Sequence, residues 1–376
     1  MKMTAALLHQ QGLPHPFTVS KPLRIERVEL TPPGPGEVLI KVAAAGLCHS
    51  DLSSIEGVRP RKLPTIPGHE GAGVVVEVGA GVSEVRAGDH VVTSFVSSCG
   101  TCRYCSDARP NLCTASTAAR ADGTLQTGLR HLVCDDGSEL NHYSGLSVYA
   151  EYAVVHESSV VVIDRKVPLT VASLFGCAVM TGVGAVVNTA RVETGRSAAV
   201  VGLGGVGLNS LLGLVACGAH PIIAADVIPA KLELAKSLGA THTVLSNDKS
   251  AIAQVKDLTR GGVDYAFEMA GSVAALDFAY AITARGGMTV TAGLPRPEAM
   301  LSWSHAALVQ EERTLKGSYM GSCIARRDIP RFLALFMAGK LPVDRLHAGN
   351  LDFEGLNLGF DKLAEGSVVR QTLVPA

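Results

Sequence analysis

The sequence predicts an α/β protein made of an irregular β-rich domain and a doubly wound Rossmann domain. Three observations point there. β-Branched runs broken by glycine and proline fill the first third of the chain. From about residue 170, short apolar strands alternate with helical patterns. Between one such strand and one such helix lies Gly202-Leu203-Gly204-Gly205-Val206-Gly207.

Strands are expected over residues 38–42, 73–78, 90–92, 153–155 and 160–163, set apart by Pro32-Pro33-Gly34-Pro35-Gly36 and Gly79-Ala80-Gly81. A strand over 198–201, a helix over 207–217, a strand over 222–225 and a helix over 230–238 closed by Gly239 make a parallel β-α-β unit. Strands over 263–269 and 287–292 flank a helix over 274–284. Past about Ser318 the pattern yields helices over 329–338 and 359–365, and periodicity alone assigns this tail to neither domain.

The 376 residues are 47% apolar and 18% charged, with 33 basic against 34 acidic side chains. Such a chain buries a large core, and disorder, coiled coil and fibre are excluded. The near-neutral balance gives no electrostatic reason to expect nucleic acid or an anionic membrane as a partner. The first eleven residues hold no secretory-type apolar run. The most apolar stretch, 197–228, is interrupted by Asn209, Ser210 and His220. A soluble, cytoplasmic protein is expected.

Four of the nine cysteines, Cys99, Cys102, Cys105 and Cys113, fall within fifteen residues. Thiolates three positions apart on a tight turn aim at one point, so a closed, structural zinc site is expected. A set of ordinary buried cysteines is the bland reading, and an iron–sulfur cluster the competing metal. The proline that follows the last cysteine of ferredoxin runs is replaced by Thr114.

In the glycine motif the first glycine permits the turn, the second admits a pyrophosphate, and the third allows close helix packing. The phosphates would meet the positive end of the following helix. Asp226, 19 residues beyond Gly207, is placed to accept from a ribose diol and would repel a 2′-phosphate, which favours NAD over NADP. A third set is dispersed: Cys48-His49-Ser50-Asp51, Gly68-His69-Glu70-Gly71 and Gly176-Cys177. Singly these are ordinary buried residues. Together they offer the S, N, S ligands of a catalytic zinc with one position open.

In this order, with Thr181-Gly182 after Cys177 and Val369-Arg370 near the end, these motifs resemble the zinc-containing medium-chain alcohol dehydrogenases along essentially the whole chain. Residues 123–147, before Tyr152, resemble the longer animal and plant branch more than the yeast-like one. The resemblance implies a GroES-like catalytic domain over 1–178 and 320–376, carrying a zinc lobe at about 97–115, with an NAD-binding Rossmann domain over 179–319. It implies Cys48, His69 and Cys177 as catalytic zinc ligands, with Glu70 as an alternating ligand and Asp51 behind His69. Ser50 would bond the alcohol hydroxyl and start a proton relay, and Phe95 and Tyr143 would line the substrate pocket. Gly202, Leu203, Gly204, Gly205, Val206, Gly207, Asp226, Lys231, Thr181, His49 and Arg370 would contact the cofactor.

The function so implied is oxidation of primary aliphatic or benzylic alcohols to aldehydes with NAD, and the reverse, by a homodimer or homotetramer holding two zinc ions per chain. Ser53 stands where longer relatives often have a histidine that passes the proton to solvent. Two other enzymes of the family remain open. A glutathione-dependent formaldehyde dehydrogenase uses an arginine soon after the fourth lobe cysteine, where Ala115, Ser116 and Thr117 stand here and Arg120 comes later. A zinc polyol dehydrogenase would have a more polar pocket. A non-catalytic protein of the same fold would be marked by loss of Cys48, His69 or Cys177, and all three are present. Cys134, Cys217 and Cys323 receive no role.

Overall fold

Three sheets organise the chain in a computed structural model, which describes residues 1–375. The strands divide between two compact units: one of Met1–Cys177, Ile324–Met337 and the chain from Asp344 on, the other of Ala178–Cys323 and Ala338–Val343. The sequence alone places these boundaries at 178/179 and 319/320. In the structure the first falls a single residue earlier and the second four residues later, and Ala338–Val343 groups with the second unit. Ala376, inside the sequence-drawn domain, lies outside the described residues.

The first unit contains a five-stranded and a seven-stranded sheet. In the larger one Glu37–Gly46 is central, paired antiparallel with Glu70–Val78, Tyr152–His156 and Arg370–Leu373. The tail strand Arg370–Leu373 sets Thr372 opposite Gly46, which is why these last residues belong with the first third of the chain. Alternation in Leu23–Leu30, too mixed to be singled out in the sequence, pairs that strand along the whole of Lys2–Leu8. Leu7, Leu8, Ile40, Leu356, Phe360 and Leu373 share one apolar core, so tail helix and N-terminal strands bury the same surface.

The second unit holds six parallel strands in the order His242–Leu245, Ile222–Asp226, Ala198–Val201, Val263–Glu268, Thr283–Thr291, Thr314–Gly317. This is the doubly wound arrangement, with its strand-order reversal beside Ala198–Val201. Each of the expected helices starts earlier than drawn, at Gly205, Pro229, Val273, Ala325 and Leu356. Gly204 is the cap of Gly205–Cys217, so the motif's last glycine lies inside the first turn rather than opening it. The helix expected over 329–338 runs Ala325–Met337 and takes in Pro330, with Asp328 Oδ2 accepting from the Ile324 amide at 2.9 Å. No single helix among the described residues is long and apolar enough to cross a membrane.

Candidate active site

Four side chains that the sequence scatters over some 130 residues meet in the first unit. The ligand atoms of Cys48, His69, Glu70 and Cys177 all lie within 4.8 Å of one another, and all four residues are buried. Strand register brings them there. Gly46 pairs with Glu70, which sets His69 and Glu70 beside the chain that leads into Cys48, the extended residue capping the helix His49–Ile55. Gly46 has no Cβ for a reason: one would lie 2.6 Å from Glu70 Oε2 and 3.3 Å from Arg370 Nη2. In that space Arg370 forms an ion pair with Glu70. Cys177 follows the turn Ser173–Gly176. Thr93 Oγ1, within 3.1 Å of the His69 carbonyl, accepts from the Gly71 amide at 2.8 Å and so holds the neighbouring strand against the ligands.

His69 is oriented from behind. Its Nδ1 lies 2.8 Å from Asp51 Oδ1, and the Tyr149 hydroxyl donates to Asp51 Oδ2 at 2.9 Å. Asp51, His69 and Tyr149 are fully buried. Gly68, at φ +93°, makes the turn before His69, and a Cβ on it would strike the Tyr149 ring at 2.5 Å. His69 Nε2 is left buried with no hydrogen-bond partner. An orphaned ring nitrogen beside two thiols, with its other nitrogen on a carboxylate, is the arrangement of a metal-ligating histidine. Burial opposes a charge on His69, but the Asp51 carboxylate outweighs it and raises the ring to about 10, so without a cation a proton would occupy Nε2. The Cys177 thiol, against burial and with help from His69, holds Cys48 well below the usual thiol range. With Glu70 taken by Arg370, two thiolates remain to neutralise a dication.

The four lobe cysteines also converge. Cys99 and Cys105 sulfurs are 4.0 Å apart, as are those of Cys102 and Cys113. A ZnS₄ tetrahedron with bonds of about 2.3 Å has edges of about 3.8 Å. The Thr101 amide is the largest influence lowering Cys99, and the Cys105 amide the largest lowering Cys102, to about 6. Burial, followed by its sulfur neighbours, pushes Cys105 up to about 12. Four crowded sulfurs cannot all ionise without a cation among them.

Beside the first cluster, Phe95 meets the His69 ring edge-on at 4.9 Å and the Tyr143 ring lies at 6.2 Å. The Tyr143 hydroxyl donates to the Ser50 carbonyl at 3.1 Å and lies 3.0 Å from Ser54 Oγ, which fixes the ring against the helix His49–Ile55. Ser50 is half-buried and His49 exposed on its first turn.

In the second unit Gly202 takes φ +89°, and a Cβ on Gly207 would lie 1.8 Å from the Gly202 carbonyl oxygen. A Cβ on Gly204 would meet nothing within 4 Å, so the loop leaves open space at the amino end of Gly205–Cys217. Asp226, buried at its strand end, accepts from the Leu203 amide at 2.6 Å and the Ile228 amide at 3.0 Å. Each oxygen keeps a lone pair for a diol. Lys231 is half-buried in the helix Pro229–Ser237. Thr181, in the buried helix Ala178–Gly184, has its Oγ1 3.7 Å from Met320 Sδ.

Three positioning residues were not legible in the sequence. Tyr149 and Thr93 carry no motif or spacing. Glu268, at a strand end, accepts from the Ala270 and Gly271 amides at 2.8 and 2.6 Å. Cys323, given no role, is buried and donates to the Met180 carbonyl at 3.3 Å.

Residues 34–165 match the model of the alcohol dehydrogenase GroES-like domain, and residues 205–338 that of the zinc-binding dehydrogenases. The chain belongs to the zinc-containing medium-chain alcohol dehydrogenase family. Among members of that family, a Mycobacterium tuberculosis protein named "Putative alcohol dehydrogenase D" is 40% identical over 100% of both chains. The S-(hydroxymethyl)glutathione dehydrogenase of Paracoccus denitrificans is 37% identical over 94% of this chain and 96% of its own. The crystal structure of benzyl alcohol dehydrogenase from Acinetobacter calcoaceticus superposes with a TM-score of 0.93 at 31% identity, covering 100% of each chain. A zinc-binding-domain alcohol dehydrogenase structure from Burkholderia ambifaria gives 0.94 at 32% identity, covering 100% of this chain and 99% of that one. The activity class is thus alcohol dehydrogenase.

Replacing Asp51 by asparagine removes the charge behind His69 but keeps its shape. Zinc affinity, read by competition with a chromogenic chelator, should fall by about 10- to 100-fold. Unchanged affinity would mean that Asp51 does not hold the ligand.

Proposed function

We propose that the protein oxidises primary aliphatic or benzylic alcohols to aldehydes with NAD, and catalyses the reverse reduction, using one catalytic and one structural zinc per chain. The observation that carries this reading is the buried trio Cys48, His69 and Cys177, with the free Nε2 of His69 beside two thiols. When bound, zinc would supply a Lewis acid that acidifies the alcohol, and NAD an acceptor for its hydride.

The chain's own residues do the rest. Cys48, His69 and Cys177 would hold the metal, with Glu70 restrained by Arg370 beside them. Asp51 keeps His69 turned with Nε2 toward the sulfurs. Ser50, on a backbone that Tyr143 pins in place, would accept the alcohol's hydrogen bond and pass its own hydroxyl proton on toward solvent as it takes up the alcohol's. Phe95 and Tyr143 exclude water and pack the substrate's apolar part. The glycine loop and the helix Gly205–Cys217 receive the pyrophosphate, Asp226 the ribose, with Lys231, Thr181 and His49 as further cofactor contacts.

A second reading has one observation in its favour. The Paracoccus relative is named for S-(hydroxymethyl)glutathione, so formaldehyde with glutathione is a candidate substrate pair here too. A homodimer or homotetramer is also proposed, supported by the edge strand Thr314–Gly317, whose four residues are all exposed and whose outer backbone groups invite pairing with another copy.

The test is NADH formation by zinc-replete protein over ethanol to hexanol, benzyl alcohol, and formaldehyde with glutathione. Apolar alcohols should turn over, with NAD preferred to NADP by more than about tenfold. Turnover of the glutathione adduct alone would favour the second reading, and preference for NADP would contradict the role of Asp226. Ser53 has no titrating ring to carry the proton onward at neutral pH. Ser53→His should therefore raise alcohol oxidation at pH 7 and leave the rate at pH 9 little changed. No rise at pH 7 would show that the proton leaves by another route.

A further inference from the structure

The carboxylate of Glu268 is buried where the sheet of the second unit ends. The ion pairs of that unit, Arg196 with Glu193 and Asp264, Lys236 with Glu233, and Arg313 with Glu311, leave it out. Its partners are uncharged donors instead. Oε1 accepts from the Ala270 amide at 2.8 Å and the Gly271 amide at 2.6 Å, and Oε2 from the Thr291 hydroxyl at 2.6 Å. Burying a carboxylate costs free energy that an apolar side chain in the same place would not. The reason for it therefore lies in the backbone it holds.

Strand register sets Glu268 level with Val201 on one side and Thr291 on the other. These are the last residues of three neighbouring parallel strands. Past them the chain continues as three loops that abut where glycine leaves room. A Cβ on Gly202 would lie 2.7 Å from the Ala270 nitrogen, and one on Gly293 only 2.2 Å from the Gly271 nitrogen. The Glu268 carbonyl also accepts from the Ala292 amide at 3.0 Å. Through backbone and side chain, this one residue ties the loop 269–271 to the loop 292–294.

The strand order reverses between Ala198–Val201 and Val263–Glu268, and in such sheets a ligand lies across the carboxyl ends at the reversal. Asp226 and the glycine loop follow strands on one side of that point. The two loops that Glu268 ties follow strands on the other.

We propose that Glu268 is a positioning residue for the dinucleotide. It braces loops 269–271 and 292–294 as the wall that receives the half remote from Asp226, which carries the nicotinamide. This rests on the NAD reading above and assigns the part of the groove that the glycine motif leaves open. Glu268 acts through backbone rather than by touching the cofactor. With the loops already fixed, binding does not have to order them.

The test titrates zinc-replete protein with NADH, read by the fluorescence of the reduced nicotinamide, and with AMP, read by equilibrium dialysis. AMP presents the adenosine half alone and reports on the side of the groove that Asp226 holds. Glu268→Met keeps the length but removes every side-chain acceptor. It should weaken NADH by at least about tenfold while AMP stays within about twofold. Glu268→Gln can keep its carbonyl on the two amides and turn its NH2 to Thr291 Oγ1, so it should retain most of the NADH affinity. Gly293→Ala leaves Glu268 in place but drives a Cβ against the Gly271 nitrogen, and should reproduce the selective loss. Should Glu268→Met not fold, Gly293→Ala decides. Equal loss of NADH and AMP would mean that Glu268 only supports the fold, and would overturn the proposal. Wild-type NADH affinity in the Met and Ala variants would also overturn it and leave the NAD reading standing. A wild type that binds no NADH would overturn the NAD reading and this proposal with it.

Discussion

The hydrogen bond between Asp51 and His69, sealed from water, is the contact on which the rest of the site depends. It fixes the ring so that Nε2 faces Cys48 and Cys177, and it supplies a negative charge behind a ligand that gives up a proton to bind metal. Tyr149 holds the other carboxylate oxygen, and Gly68 both turns the chain into His69 and leaves room for the Tyr149 ring. Removing one partner from so buried a pair strands a charge, at about 3–5 kcal/mol. Stability and metal affinity are therefore built from the same four residues.

That constraint explains the surrounding sheet. Cys48 and His69 are held in step by the pairing of Gly46 with Glu70, and Thr93 locks a third strand onto His69 and Gly71. The tail strand then delivers Arg370 to Glu70 across Gly46, so one small residue accommodates both ends of an ion pair. Arg370 leaves Glu70 neutralised, and the pair of thiolates is then matched to a dication rather than exceeding its charge. Within the lobe four sulfurs and no histidine converge, and four thiolates would exceed a dication's charge by two.

Much of this was legible wherever chemistry demands fixed spacing. The lobe cysteines and the glycine loop are local motifs whose geometry follows from a tight turn and a helix start, and the structure assembles both. The strand Ile222–Asp226 ends on the acid that its apolar run predicts. The dispersed ligands were ambiguous residue by residue and became readable only through the resemblance. What escaped was set by tertiary packing. Tyr149 reaches Asp51 across 98 positions, and nothing in its neighbours announces that bond. Arg61 and Arg120 look like ordinary surface charges until the fold lays them over Tyr143 and Phe95. Helix starts shifted because the apolar period marks only the buried face, and the polar first-turn residues Arg326 and Arg327 lie ahead of it in Ala325–Met337.

The central claim is that the buried trio is a metal site in its own right, separate from the lobe. Anomalous diffraction at the zinc edge from crystals of the purified protein tests it most directly. The account predicts two peaks in each chain, one bounded by Cys48, His69 and Cys177 and the other by the four lobe cysteines. A peak in the lobe alone, with His69 Nε2 bonded to a protein group or Cys48 joined to Cys177, would contradict it.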